Sequence, residues 1–286
     1  MLRAGGGSMA QDEDFWVRFW GVRGTVPVPG PDTVRYGGNT PCVEVMCGGQ
    51  RLIFDAGTGI RALGATLAEQ EGLNAHIFLT HTHMDHIGGF PFFRPAYSAK
   101  NTFQIWAGHG PAEQGSIRSA LSAIMSKPIF PVPLRVMHAN MAFHDFEAGD
   151  TLQPLPGIVL RTAPLNHPDG ATGYRIDYGG RSICYVTDTE HREGELDRNI
   201  IELIRGSQLV LYDCTYTEEE YPRYRGWGHS TWQQGVKLCE AAGAGALIAF
   251  HHDPDHSDAD LDRIAEALAR ARPGSSVAYE GLVLRP

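Results

Sequence analysis

The 286-residue sequence predicts a single α/β domain, and two observations carry that reading. Ten short runs rich in Val, Ile, Phe and Tyr are bounded by Gly, Pro and Asp, as strands are. Five stretches of helical apolar periodicity lie among them, and an order of strands with short turns followed by a helix occurs twice.

The strands begin with FWVRFW from Phe15, CVEVMC from Cys42 and RLIFD from Arg51. A helix over Ile60–Gln70 follows, then strands HIFLT from His76 and FQIWA from Phe103, then a helix over Ser116–Met125. The second block holds strands IVLRTA from Ile158, YRIDY from Tyr174 and SICYVTD from Ser182, then a helix over Leu196–Arg205. It closes with LVLYD from Leu209, a helix over Thr231–Ala242, ALIAF from Ala246 and a helix over Asp258–Arg270. Ser230 and Ser257 stand where N-caps belong for the last two helices. Many strands are apolar at consecutive positions, which fits strands covered on both faces.

Residues 1–14, with Gly5-Gly6-Gly7-Ser8, read as a flexible leader, and 15–286 as one domain. The stretch 108–150, with Pro111, Pro128, Pro131 and Pro133, reads as an insertion or lid. The five Cys are scattered with no C-x-x-C pair, so neither a disulfide framework nor a zinc knuckle is supported. No apolar run approaches the roughly 18 residues that span a bilayer, and the amino terminus lacks the apolar centre of a secretory signal. These features place the protein in the cytoplasm, with no membrane partner.

Lys and Arg number 24 against 33 Asp and Glu, so the net charge is 24 − 33 = −9. That balance argues against a long nucleic-acid partner, which demands clustered cations. A small anionic substrate stays open, because bound metal ions reverse the field inside a cleft. The 13 His point to metal chemistry, provided their spacing agrees.

It does agree in Thr80-His81-Thr82-His83-Met84-Asp85-His86, directly after an apolar strand. Four metal-competent side chains lie within six residues, where a loop can curl them around one point. Imidazoles and a carboxylate suit Zn2+, and also Mn2+ or Fe2+. This segment resembles the signature of metallo-β-lactamase-fold hydrolases. The resemblance spans nearly the whole chain from about Phe15 and implies a four-layer αββα sandwich with its site along one edge. It further implies later ligands at strand ends, which His167, Asp188 and His251 match. The implied set is His81, His83 and His167 on one metal, Asp85, His86 and His251 on a second, and Asp188 bridging both. Upstream, Asp55 is implied to orient a ligating His, or else simply ends its strand.

An Asp at position 188, where the lactam-cleaving branch with the closest motif tends to have Cys, speaks against a β-lactamase. The segment Gly228-His229-Ser230-Thr231 resembles the His-Ser-Thr motif of ribonuclease Z-like phosphodiesterases, and Asp213 matches the acidic partner of that His. The resemblance then implies attack by a metal-held hydroxide, with Asp85, His229 and Asp213 catalytic and His229 the acid that protonates the leaving oxygen. The sequence has no basic, Gly-rich arm of the kind a transfer-RNA 3′-processing nuclease carries. The motifs around FWGVRGTVPVPG, FDAGTGIRALG and FHHDPDHSD instead look like small bacterial and phage proteins that include cyclic-nucleotide phosphodiesterases.

The leading expectation is therefore a dimetal phosphodiesterase acting on a cyclic nucleotide. Alternatives are a glyoxalase II-type thioester hydrolase, a transfer-RNA 3′-processing endonuclease, and a metal-dependent module that binds cyclic nucleotides without turnover. Asn39 and His191 are candidate substrate contacts, as are Arg23 and Tyr36, with a surface ion pair the equally good reading of Arg23. The loop Glu218–Tyr221 reads as solvated, as a lid, or as the edge of a homodimer.

Overall fold

A computed structural model of the chain describes residues 14–109 and 115–286, so the expected leader up to residue 13 and Pro111 lie outside the described residues. The first half comprises strands β1 (Phe15–Gly21), β2 (Cys42–Cys47) and β3 (Gln50–Phe54), helix α1 (Gly59–Thr66), strand β4 (Asn74–Leu79) and the single turn α2 (Met84–Ile87). It continues with β5 (Thr102–His109), α3 (Ile117–Ile124) and β6 (Asn140–Glu147). The second half runs β7 (Thr151–Leu155), β8 (Ile158–Leu165), β9 (Ala171–Tyr178), β10 (Arg181–Val186), α4 (Arg198–Ile204) and β11 (Leu209–Asp213). It ends with α5 (Trp232–Ala242), β12 (Ala246–Phe250), α6 (Asp258–Ala271), β13 (Ser276–Val277) and β14 (Val283–Leu284).

These strands form two seven-stranded sheets, ordered β14-β1-β2-β3-β4-β5-β6 and β13-β12-β11-β10-β9-β8-β7. Each sheet is antiparallel on one side and parallel on the other, the parallel runs being β3 to β6 and β10 to β13. The consecutive apolar residues are explained by burial of both strand faces. In β11, Leu209 and Leu211 face the opposite sheet, while Val210 and Tyr212 face helices. Between the sheets pack Phe19, Phe54 and Phe78 from the first and Tyr174, Tyr185 and Phe250 from the second. Outside the first sheet lie Ile60 and Leu63 of α1 and Ile117 and Leu121 of α3. Outside the second lie Ile200 of α4, Cys239 of α5 and Leu261 of α6. The result is a four-layer αββα sandwich.

All ten expected strands form, and the five expected helices form with ends shifted by up to four residues. Four strands went unmarked in the sequence, all at sheet edges: β6 and β7, whose mixed polar and apolar residues are only half-buried, and β13 and β14, which at two residues each are too short to show a pattern. Much of the stretch read as an insertion or lid belongs to the sandwich, since β6 pairs along β5 and Ile117 and Leu121 join the first core. The cap of α5 is Thr231, whose side chain accepts from the Gln234 amide, and not Ser230. Ser230 is instead turned to the Tyr212 hydroxyl and the His191 ring, each 2.9 Å away. Ser257 does cap α6, in a reciprocal capping box with Asp260. No helix among the described residues is long and apolar enough to cross a membrane.

Arg23 is fully buried, so a surface ion pair is ruled out for it. Its guanidinium donates to the carbonyls of Gly37 (2.9 Å), Asp253 (3.1 Å) and His256 (2.6 Å), tying the first loop to the one after β12.

Candidate metal centre

The site is assembled from strand ends. His81, His83, Asp85 and His86 follow β4, Asp188 follows β10, Asp213 ends β11, His251 follows β12, and His167 follows β8. Asp55, Asp188 and His251 each adopt a left-handed backbone, with φ of 61°, 60° and 62°. Such a conformation costs a non-glycine residue about 1 kcal/mol or more and turns the chain sharply as each strand stops. Three instances at equivalent strand ends point to a functional constraint.

Two groups of ligand atoms result. His81, His83 and His167 each offer a ring nitrogen, all within 4.8 Å of one another. Asp85, His86, Asp188 and His251 form a second group, of four, whose ligand atoms also lie within 4.8 Å of one another. Asp188 stands between them. Its Oδ1 lies 3.8 Å from both His81 Nε2 and His167 Nε2, and its Oδ2 lies 3.2 Å from His86 Nε2 and 3.4 Å from His251 Nε2.

The opposite nitrogen of several rings is held from behind, as in metal sites whose ligands are oriented by neighbours. His86 Nδ1 lies 2.8 Å from Asp55 Oδ2, which also accepts from the Tyr185 hydroxyl at 2.8 Å. Asp55 Oδ1 accepts from the Thr80 amide at 2.8 Å, locking the start of the His-rich loop to β3. His167 Nδ1 donates to the Gly228 carbonyl at 2.8 Å, and His251 Nδ1 lies 3.0 Å from Thr215 Oγ1. Two glycines permit the close packing. A methyl group at Gly24 would sit 2.4 Å from the His251 ring, and one at Gly228 would sit 2.2 Å from His167 Nδ1.

The donor chemistry fits a pair of divalent cations. His81 Nε2 is buried with no hydrogen-bond partner among the described residues, a costly arrangement unless something electrophilic faces it. Burial, the neighbouring His86 and the other rings hold the His81 pKa well below its ordinary value, leaving a neutral imidazole. Burial opposes ionisation of Asp188, but His251, His86 and His81 outweigh it and keep the carboxylate charged.

His229 lies beside both groups. Its Nδ1 is 2.9 Å from Asp213 Oδ2, and its ring centroid is 4.9 Å from that of His251 and 5.4 Å from that of His167. Burial disfavours its charged form, but Asp213 prevails and pushes the pKa up to about 9. Asp213 is anchored by the Thr215 hydroxyl at 2.8 Å. His191 is half-buried, bonded to Ser230, and borders a cavity of about 460 Å3 also lined by Asn166, Arg192 and Arg198. Asn39 is committed elsewhere: its amide donates to Glu280 and its carbonyl oxygen accepts from Thr58. The Tyr36 hydroxyl donates to Asp262, and the Glu220 carboxylate is bonded to Thr217 and His256, so that part of its loop is not freely solvated.

Sequence reading had no signal for Thr80, Tyr185 and Gly24, which support the ligands from distant or unremarkable positions. Thr215 was visible only as a neighbour of Asp213.

Residues 50–252 match the family of beta-lactamase superfamily domains. Ribonuclease Z of Bradyrhizobium sp. (strain ORS 278) is 25% identical, over 80% of this chain and 88% of its own length. Among solved structures, the metallo-β-lactamase fold protein YhfI of Bacillus subtilis superposes with a TM-score of 0.71 at 18% identity, covering 95% of this chain and 99% of YhfI. A diphosphatase of the PhnP family gives 0.68 at 19% identity, covering 94% of this chain and 97% of its own. The two structures share the fold, and the match over most of the sequence shows the family. The chain belongs to the metallo-β-lactamase superfamily.

Proposed function

We propose that this superfamily member hydrolyses a small phosphodiester, a cyclic nucleotide in the first instance, with His229 as the general acid. The observation that carries the reading is the His229–Asp213 pair at 2.9 Å, placed against both metal-competent groups. A hydrolase whose leaving group is an alkoxide needs a proton at that point, and a buried imidazolium held by a carboxylate supplies it. The names of the similar proteins, ribonuclease Z and diphosphatase, support phosphate-ester chemistry.

In this reading His81, His83 and His167 would hold one cation and Asp85, His86 and His251 the other, with Asp188 offering an oxygen to each group. Zn2+ is the first choice, with Mn2+ or Fe2+ served by the same donors. When bound, the cations supply charge neutralisation at the phosphoryl oxygens and acidify water. The protein does the rest. Asp85, whose burial opposes ionisation but whose charge is upheld by His86 and His251, accepts the proton released by the attacking water. His229 gives its Nε2 proton to the departing oxygen while Asp213 stabilises the imidazolium at Nδ1. His191, which lines the cavity with Arg192 and Arg198, contacts the nucleoside or phosphate. The five cysteines, all buried and free, suit the reducing cytoplasm.

A second reading, transfer-RNA 3′ processing, draws on the similarity to ribonuclease Z. The net charge of −9 weighs against it, because a long RNA backbone demands clustered cations. One screen separates these readings. Metal-loaded protein is offered cyclic mononucleotides, bis(p-nitrophenyl) phosphate, a transfer-RNA precursor with a 3′ trailer, and S-lactoylglutathione. Turnover of cyclic nucleotides is expected. Cleavage of the precursor alone would establish the second reading, and thioester hydrolysis alone would reject both. Cyclic-nucleotide binding without turnover would make the protein a sensor.

A further inference from the structure

We infer that Glu190 is a positioning residue that sets His229 in place by gripping the turn at Gly226–Gly228. The inference rests on the reading of His229 as the acid. Glu190 lies two residues past Asp188, outside β10, and nothing in its local sequence marks it. Its carboxylate accepts from the Gly226 amide at 2.8 and 3.0 Å, the Gly228 amide at 2.8 Å and the Tyr221 hydroxyl at 3.4 Å. The nearby Arg225 is paired with Glu193, so the Glu190 charge is met mainly by amide dipoles.

Three segments of the site meet at this one residue. Its backbone amide donates to the Asn166 carbonyl at 2.7 Å, and the Asn166 side chain returns a bond to the Glu190 carbonyl at 2.8 Å. That pair of hydrogen bonds ties the segment after Asp188 to the residue preceding His167. The side chain then ties both to the turn that leads into His229. Gly228 completes the circuit, because its amide donates to Glu190 and its carbonyl accepts from His167 Nδ1 at 2.8 Å. Gly226 and Gly228 have φ of 87° and 88°, a left-handed backbone in which both amides turn toward one acceptor. Loss of the carboxylate leaves these amides without their acceptor and frees the turn. The His229 ring then departs from its line to the leaving oxygen.

Leaving-group dependence separates this role from a merely structural one. p-Nitrophenolate departs without a proton, whereas the ribose alkoxide of a cyclic nucleotide needs one. Glu190→Ala is expected to lower kcat on the cyclic nucleotide by about tenfold or more, and to change it only slightly on bis(p-nitrophenyl) phosphate. Glu190→Gln keeps one acceptor oxygen and recovers part of the loss. The double variant Glu190→Ala/His229→Ala is expected to be no slower than His229→Ala alone. Equal slowing on both esters, or fully additive losses in the double variant, would overturn the inference. A second readout needs no turnover. In metal-free protein, amide hydrogen exchange across Gly226–His229 is expected to quicken in Glu190→Ala while the rest of the chain keeps its protection. Unchanged exchange there would also overturn the inference. A wild-type protein inert toward both esters defeats the functional reading, and the exchange measurement still decides the anchoring.

Discussion

His229 Nδ1 stands 2.9 Å from Asp213 Oδ2, and this contact fixes both the orientation of the ring and its charge. Burial alone would neutralise the imidazole; the carboxylate reverses that and raises the pKa to about 9. An acid must be protonated to act, so kcat/KM on an alkoxide-leaving substrate is expected to fall as pH rises through that region. Asp213→Asn removes the cause of the elevation and is expected to move this basic limb to lower pH by more than one unit. A limb that stays in place would assign it to another group.

The two groups of ligand atoms predict two metal ions per chain, measurable by elemental analysis. His167→Ala is expected to retain one ion and Asp188→Ala fewer than two. Metal that binds the folded chain alone stabilises it by mass action, about 2.7 kcal/mol at a free concentration of 100 Kd. Chelation is therefore expected to lower Tm, and an unchanged Tm would argue that the groups hold no ion.

Gly24 is close-packed on the ring of His251, with only 2.4 Å available to an added methyl carbon. Gly24→Ala must displace that ring. The expected outcome is loss of one metal equivalent and a fall in kcat, with circular dichroism unchanged. Two ions and full activity in this variant would remove His251 from the site.

His76 provides a pH-dependent contribution to stability away from the metal centre. Burial, helped by the nearby His144, depresses its pKa to about 4, and Trp106 donates to its Nδ1 at 3.1 Å. Protonation would abolish that acceptor. Between pH 4 and 6.5 the unfolded chain binds more protons than the folded one, so stability is full above 6.5 and is lost as pH falls toward 4. The loss attributable to this residue is at most about 3 kcal/mol. Urea titrations should show a shallower decline for His76→Phe than for wild type, although the variant starts less stable because Trp106 loses its acceptor.

Much of the architecture was legible because it is written locally. The apolar runs after Arg51, His76, Ser182, Leu209 and Ala246 each reveal a strand buried on both faces, and the turn after each places a polar residue at its end. The edge strands β6 and β7 were not legible, because one half-buried face leaves only a faint alternation. The exchange of Ser230 for Thr231 as the helix cap is equally non-local. Ser230 has a cap-forming side chain, but partners on β11 and after β10 take it.

The sequence by itself marked His81, His83, Asp85 and His86 as metal-competent, since H-x-H-x-D-H is a short-range pattern, while resemblance to a known family pointed to His167, Asp188 and His251 at later strand ends. Only the tertiary structure decided what stands behind them. Sheet register brings Asp55 to His86, 31 positions away, and the left-handed turns at Asp188 and His251 aim both side chains inward. Arg23 reads as a surface cation until three carbonyls from distant loops surround it. Glu190 reads as an ordinary acidic residue until two glycine amides 36 and 38 positions on converge on its carboxylate. Hydrogen bonds that span such separations follow from the stacking of two sheets, and no residue spacing within a strand or turn encodes them.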